Sequence, residues 1–132
     1  MRPVPGERGQ ALVETALAFP LLLIVAVGLI QLALFVHAQN VVVGAVQDGA
    51  RVAATADATL DEGVAHARAL LRDGLGADAR EVAVQGREAG GTVALEARGR
   101  LRLIVPWVFD AALPLSSRAV MSKEAFRAGP LR

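Results

Sequence analysis

The stretch that most constrains this chain is Gly9–Val36, GQALVETALAFPLLLIVAVGLIQLALFV, which holds one formal charge, at Glu14. The hydrocarbon core of a bilayer takes about 20 apolar residues as helix, so this stretch is long enough to span it. Arg2 and Arg8 precede it, and the next arginine or lysine is Arg51. By the positive-inside rule we expect a single-pass membrane protein whose N-terminus stays in the cytoplasm.

A cleaved secretory signal is the first alternative interpretation of this stretch. Val36-His37-Ala38 has small residues at the spacing of a signal-peptidase site, which would release a secreted soluble domain cut after Ala38. The apolar region of such a signal is about 7–15 residues long, much shorter than this run. Glu14 and Pro20 are also features that a cleaved signal does not need. We therefore expect the helix to be retained.

Length and composition limit the rest of the chain. Of the 132 residues, those from Asp57 to Arg132 are left for a globular head, a size at which a single core is marginally stable. The chain has no cysteine, so no disulfide can stabilise the head. We expect it to lean on the upper part of its own helix or on neighbouring chains. The net charge of +1 argues against a nucleic-acid partner.

Glu14 is the anomaly in the apolar stretch. A carboxylate deep in hydrocarbon costs on the order of 3 kcal/mol on insertion scales, so such residues usually have a partner. One interpretation places Glu14 at the headgroup level, in the first turns of the helix, where the dipole favours an anion. In the other, a peptidase cuts after Gly9 and leaves a new ammonium group on Gln10. Residues four apart share a helix face, so this amine and Glu14 could pair within one chain or between two.

The segment Arg8-Gly9-Gln10-Ala11-Leu12-Val13-Glu14 resembles the processing site of type IV pilin-like proteins. In those proteins a prepilin peptidase cuts after a glycine, and the fifth residue of the mature chain is glutamate. The longer pattern Gly9…Leu12-Val13-Glu14…Ala16-Leu17…Pro20-Leu21-Leu22 resembles the TadE-like family of tight-adherence (Flp-type) pilus proteins. Gln10 departs from the pattern, because many pilins begin with an aromatic residue at that position.

The resemblance implies that Gly9–Gln10 is the scissile bond, that Glu14 pairs with the freed amine, and that Pro20 kinks the helix. It implies a minor pilin or pseudopilin in the bacterial inner membrane, with its head outside the cytoplasm, that acts in pilus assembly. Incorporation into an extracellular filament is compatible with it, and the job of that filament, whether cell adhesion, DNA uptake or another, is left open. The implied partners are the lipid bilayer, the prepilin peptidase, inner-membrane pilus assembly proteins and other pilin-like subunits, in homo- or hetero-oligomers. It implies no cofactor.

Beyond the apolar stretch the helix is expected to continue to Ala56, because residues 37–56 contain no proline and are rich in alanine and valine. Ala45, Gly49 and Ala53 are small residues four apart, a spacing that lets backbones approach closely. This face could pack on the head and on other helices, and a plain amphipathic helix is equally compatible. The polar side chains on the opposite face are Asn40, Gln47, Asp48 and Arg51.

The head is predicted to begin with a second helix. Thr59 and Glu62 have the spacing of a capping box, and Gly74 or Gly76 ends the helix. One face of this helix carries an apolar stripe at helical spacing. Its members are Leu60, Val64, Ala67 and Leu71.

Strands are predicted after Gly76, where the apolar period changes to two. Val82 and Val84 begin this pattern, and Gly86–Gly91 is predicted to be a glycine-bearing turn. The run Val93–Val105 is apolar at every odd position except Gly99, which marks a bulge or bend. The outer face of this strand carries three arginines, which are either solvated or meet an acidic partner. They are Arg98, Arg100 and Arg102.

The remaining segments complete the predicted head. Pro106–Pro114 holds Trp107 and Phe109 and is interpreted as a lid on the small core, with a contact to the membrane surface or to another subunit as the alternative. Leu115–Glu124 is predicted to be a last strand that pairs with the preceding one. The residues after Glu124 are expected to fray.

The predicted architecture is an α+β fold: a long N-terminal helix, a second shorter helix and a small antiparallel sheet of about three strands. The predicted segments are a leader at residues 1–9, a helix at 10–56 that spans the membrane near 11–36, and a head at 57–132. Met1–Glu7 is expected to be irregular because of its two prolines and glycine.

We expect no enzyme and no metal site, since the sequence has no glycine-rich phosphate loop, nucleophile elbow or metal-ligand cluster. His37 and His66 are isolated, and His66 is expected at the surface. The leading hypothesis is therefore a pilin-like subunit. A single-pass anchor that holds an extracytoplasmic binding module and does not polymerise is the alternative of a different class.

Overall fold

The computed structural model describes the backbone of residues 5–102 and 112–123 and the side chains from residue 9 onward in those ranges. Its elements in chain order are α1 (Pro5–Ala54), α2 (Leu60–Leu75), a 3₁₀ helix (Gly76–Glu81), β1 (Val82–Ala89), β2 (Thr92–Arg102) and β3 (Ala112–Ser122). The predicted α+β class, with two helices and a three-stranded antiparallel sheet, is confirmed. The chain divides into two compact units, Met1–Leu34 and Phe35–Arg132, and the second is called the head below.

The first helix begins earlier than the sequence suggested. The expected irregular leader was wrong for residues 5–7, because α1 starts at Pro5. Proline is compatible with the first turn of a helix, where its missing N–H would have no intrahelical acceptor. At the other end α1 stops at Ala54, and the N–H and hydroxyl of Thr55 both donate to the Val52 carbonyl.

The capping box predicted for α2 is confirmed. The N–H of Glu62 donates to the Thr59 hydroxyl over 3.2 Å, and the Thr59 N–H donates to the Glu62 carboxylate over 2.7 Å. The helix ends at Leu75, and Gly76 follows it with a positive φ of 58°. The predicted apolar stripe faces inward, and His66 is exposed as expected.

The hairpin between β1 and β2 is tighter than predicted. Only Gly90 and Gly91 form the turn, with φ of 58° and 74°, and Ala89 pairs with Thr92 across it. The prediction of a turn over Gly86–Gly91 was therefore wrong for residues 86–89, which belong to β1. Gly86 serves close packing instead, because a Cβ there would lie 2.8 Å from Leu60 Cδ1 of α2.

Gly99 does not produce the predicted bulge. The strand register is continuous through it, with Val82 of β1 and Leu115 of β3 as its partners. A Cβ at Gly99 would lie 2.5 Å from the Glu81 carbonyl oxygen and 2.7 Å from Val82 Cγ2. This position requires glycine because the start of β1 passes directly over it.

The pairing of the last strand with β2 is confirmed, although β3 begins at Ala112 rather than at Leu115. Pro114 therefore lies inside the strand, which is tolerated because β3 is an edge strand among the described strands. The predicted lid residues Trp107 and Phe109 lie outside the described residues. So do the end of the predicted β2 run, residues 103–105, and the segment from Glu124 onward.

The core of the head lies between one face of the sheet and the two helices. The side chains of β2 alternate as predicted, with Val93, Leu95 and Ala97 buried and Arg98 and Arg100 exposed. The predicted polar face of α1 is exposed, and its opposite face supplies much of the core, so the head does lean on its own long helix. The core residues from α1 are Ala38, Val42, Ala45, Val46, Ala50 and Ala53.

The two helices of the head meet at glycine. A Cβ at Gly49 of α1 would lie 2.7 Å from both Ala67 Cβ and the Gly63 carbonyl oxygen, and 2.9 Å from Leu95 Cδ2. A Cβ at Gly63 of α2 would lie 2.5 Å from Ala53 Cβ. Two of these neighbours are Cβ atoms fixed to the backbone and one is a backbone oxygen, so none can move aside cheaply.

We predict that Gly49→Ala destabilises the head by about 1–3 kcal/mol, since the added methyl forces the helices apart. Gly44→Ala is the matched control on the same helix, because a Cβ there meets nothing within 4 Å. It should be neutral or stabilising by about 0.5–1 kcal/mol through helix propensity. Hydrogen exchange of the β2 amides in the full chain measures both effects. Equal protection in the two variants would contradict the close approach.

The capping box also predicts a pH dependence. Hydrogen bonds from the backbone N–H and then the hydroxyl of Thr59 hold the pKa of Glu62 below its ordinary value of 4.5. Because the folded-state pKa is lowered, the ionised carboxylate stabilises the head above pH 4.5, and this contribution disappears as the pH falls through the folded pKa. Glu62→Gln should thus lower the thermal midpoint at neutral pH and leave it unchanged in strong acid.

The measurement is thermal unfolding of the unmodified chain and of Glu62→Gln in the same detergent, at neutral pH and in strong acid. The NMR signals of the α2 amides report the unfolding. Asp61→Asn is the control, since Asp61 lies in the same first turn but makes no capping bond. If Asp61→Asn lowered the thermal midpoint at neutral pH as much as Glu62→Gln does, and likewise had no effect in strong acid, the effect would belong to the helix dipole rather than to the capping box.

Candidate assembly site on the N-terminal helix

The N-terminal part of α1 carries mostly apolar side chains, and these are exposed. Its large apolar side chains are between 40% and 73% exposed. Soluble proteins rarely leave a continuous apolar surface of this extent uncovered. The exposed residues are Leu12, Val13, Leu17, Phe19, Leu21, Leu22, Leu23, Ile24, Val25, Val27, Leu29, Ile30, Leu32, Leu34 and Val36.

This surface distinguishes the helix from the core helix of a soluble protein. Within the described residues, the helical stretch Gly9–Ala54 is long and apolar enough to cross a membrane. A core helix can have the same length and composition, but its apolar side chains are buried, and these are exposed. The helix therefore indicates a membrane-anchored protein.

Glu14 lies on this helix with an exposed side chain, four residues after Gln10, which is also exposed. Among the described side chains it has no ion-pair partner. The neighbouring Thr15 is satisfied locally, since its hydroxyl donates to the Ala11 carbonyl over 2.9 Å. The Glu14 carboxylate is thus accessible to a cationic group of another chain. The Thr15 hydroxyl already has a hydrogen-bond partner within its own helix.

Gly9 and Pro20 bracket this region. A Cβ at Gly9 would meet nothing within 4 Å, so the backbone around the predicted scissile bond is open to an approaching molecule. Pro20 lies inside the assigned helix. It has no N–H to donate, so the carbonyl of Ala16 loses its intrahelical partner there.

Comparison with known families bears directly on this helix. Residues 9–51 match the family model of TadE-like proteins. The match begins at the glycine of the predicted cleavage site and contains Glu14, Pro20, Ala45 and Gly49, so the resemblance drawn from the sequence is confirmed. No curated protein and no solved structure matches the chain.

The TadE-like segment, residues 9–51, covers the apolar helix and most of the α1 face that enters the head. The match shows similarity to TadE-like proteins over this segment. In the described part of the chain, no group of three histidine, aspartate or glutamate side chains could hold a metal ion.

The predicted site residues fall into two separate groups. Gly9, Gln10, Glu14 and Pro20 lie in the first unit, on the exposed apolar part of the helix. The small residues of the second group, Ala45, Gly49 and Ala53, lie inside the head. There they approach α2 and β2 of the same chain, so in this structure their close-packing face is already occupied.

Sequence reasoning missed one further feature of the head. A cavity of about 570 Å³ lies between α2, the 3₁₀ helix and β1, and three of the side chains that line it are arginines. Arg68 and Arg72 are one helical turn apart, which is a visible signal in the sequence. Arg80 joins them only through the fold, because the 3₁₀ helix turns the chain back alongside α2.

Proposed function

We propose that this chain is a minor pilin or pseudopilin that acts in the assembly of a tight-adherence-type pilus. The observation that carries the proposal is the TadE-like match over an exposed apolar stretch of helix, residues 9–36, whose single carboxylate is Glu14. A plain membrane anchor needs the apolar surface but has no use for the carboxylate, which costs insertion energy.

The first proposed step is cleavage between Gly9 and Gln10 by a prepilin peptidase. Hydrolysis of this peptide bond leaves a carboxylate on Gly9 and an ammonium group on Gln10. The new positive charge lies one helical turn before Glu14. What supports the step is the spacing of these residues and the open surroundings of Gly9.

The second proposed step is pairing of the Gln10 ammonium of one subunit with Glu14 of another. Once both charges are in hydrocarbon, the attraction between them is far stronger than in water, because lipid screens charges weakly. It also relieves the cost of leaving either charge alone in lipid. The pair would therefore set the register in which one apolar helix packs against the next.

The apolar surface has two proposed uses in succession. In the inner membrane, with the N-terminus cytoplasmic and the head outside, it holds the subunit in lipid before assembly. In the filament the same side chains are buried against the helices of neighbouring subunits. Extraction from the membrane is then an exchange of lipid contacts for protein contacts, and the apolar surface never has to face water.

The decisive measurement is mass spectrometry of the mature chain from cells with and without the prepilin peptidase. We expect a chain that starts at Gln10 when the peptidase is present and at Met1 when it is absent. A chain that retains its first nine residues in both strains would favour the single-pass anchored binding module. A start at Gln39 would favour a secreted domain.

We also predict that Glu14→Gln leaves membrane insertion intact and abolishes incorporation into filaments, because the neutral amide cannot pair with the ammonium group. Sheared filament fractions and membrane fractions are compared by immunoblot. Asp48→Asn is the matched control, an exposed acidic residue on the same helix outside the apolar stretch. Normal incorporation of the Glu14 variant would remove the pairing step.

A further inference from the structure

The cavity beside β1 is a groove with a strand edge for its floor. Val82, Ala83, Val84 and Gln85 contribute the strand, α2 contributes one wall, and the 3₁₀ helix closes one end. Among the described strands β1 is an edge strand, since the sheet order is β1-β2-β3. The groove has a volume of about 570 Å³ and is open to solvent.

The backbone groups that face the groove follow from two hydrogen bonds. The N–H of Val82 donates to the Ala79 carbonyl, and the carbonyl of Val84 accepts from Arg68 Nη2 over 3.2 Å. Both bonds point away from β2. The N–H and C=O of a strand residue point to the same side, so the even-numbered residues of β1 present their backbone to the groove.

One backbone group is left over at each of these residues. The carbonyl of Val82 and the N–H of Val84 face the groove with no partner among the described residues. In a parallel ladder, a single residue of the added strand donates its N–H to the Val82 carbonyl and accepts with its own carbonyl from the Val84 N–H. An antiparallel strand would reach the same two groups from two of its own residues and would leave one backbone group of each residue without a partner, because the Val82 N–H and the Val84 carbonyl are already occupied.

The charge of the groove has one sign. Arg68 and Arg72 project from the same face of α2, Arg80 lies on the 3₁₀ helix, and no acidic residue lines the groove. Arginine pairs with carboxylates through several N–H donors, so Arg68 can keep its bond to Val84 and still bind an anion.

We propose that this groove binds an extended acidic segment of another protein, which adds to β1 as a short parallel strand while its carboxylates pair with Arg68, Arg72 and Arg80. A peptide fits better than a phosphate group, because one strand residue supplies both the N–H that the Val82 carbonyl needs and the carbonyl that the Val84 N–H needs, whereas a phosphomonoester dianion has no donor. The acidic residues at the start of α2, Asp61 and Glu62, are helical and cannot supply this strand from a second copy.

The inference uses only the head and does not depend on cleavage or on the pairing of Glu14. The two proposals can therefore fail separately. An uncut chain that still binds acidic peptides in this groove would be an anchored binding module. A cleaved chain with an inert groove would be a pilin whose head contacts are elsewhere.

The test uses the full chain in zwitterionic detergent micelles and a fluorescein-labelled peptide that alternates glutamate and threonine. Fluorescence anisotropy gives the affinity, and amide NMR shifts give the location. We expect binding that shifts the signals of Val82–Gly86. A peptide with glutamine in place of glutamate should bind about tenfold more weakly, as should one N-methylated along its backbone.

Arg72→Gln tests the charge and should weaken binding about tenfold. Arg100→Gln is the matched control, an exposed arginine on the opposite face of the sheet, and should leave the affinity unchanged. Should the Arg72 variant show altered folding in its amide spectrum, Arg80→Gln serves in its place, because Arg80 lies outside α2.

Several outcomes would overturn the proposal. These are no binding of the glutamate peptide, an equal loss of affinity in the Arg100 variant, or shifts confined to the outer face of the sheet. Equal affinity for the glutamine peptide would also overturn it. So would full displacement of the peptide by inorganic phosphate or by heparin, since the groove would then be a general anion site.

Discussion

The head depends on the close approach of α1 and α2 at Gly49 and Gly63. With no side chain on either glycine, the two helices pack backbone against backbone, and Ala53 and Ala67 fill the space beside them. Leu95 of β2 reaches the same point from the sheet. A small head without disulfides gains a compact core in this way, because glycine and alanine at the contact let the two helices lie close together over the sheet.

The two edges of the described sheet have different neighbours. On β3, Pro114 has no N–H to offer, and the Ser116 carbonyl accepts from Gln39 Nε2 of α1 over 2.8 Å. On β1, Arg68 satisfies only one carbonyl. Exposed strand edges can pair with other chains, and the arginines beside β1 are the basis of the proposed preference for an acidic segment.

Local patterns in the sequence were sufficient where the structure is decided locally. The Thr59–Glu62 capping box, the alternation of β2 and the polar face of α1 were all predicted, because each depends on residues within one or two turns. The length of the turn between β1 and β2 was predicted wrongly, because Gly86 was assigned to the turn. Its packing against Leu60 of α2 cannot be recognised from the sequence. Gly99 was misjudged for the same reason: its neighbour is the backbone of Glu81, and only the paired sheet brings the two together.

The sequence by itself determined that residues 9–36 form an exposed apolar helix with Glu14 near its start, because hydrophobicity and charge at this spacing need no tertiary partner to be recognised. The same local pattern carries the resemblance that the family match supports. Only the tertiary structure decided that the small-residue face of α1 packs inside its own head, and that Arg80 joins Arg68 beside an open strand edge. The first result depends on the contacts that Gly49 and Gly63 make with the facing helix, and the second on the 3₁₀ helix that returns the chain alongside α2. Neither can be recognised from a local sequence pattern.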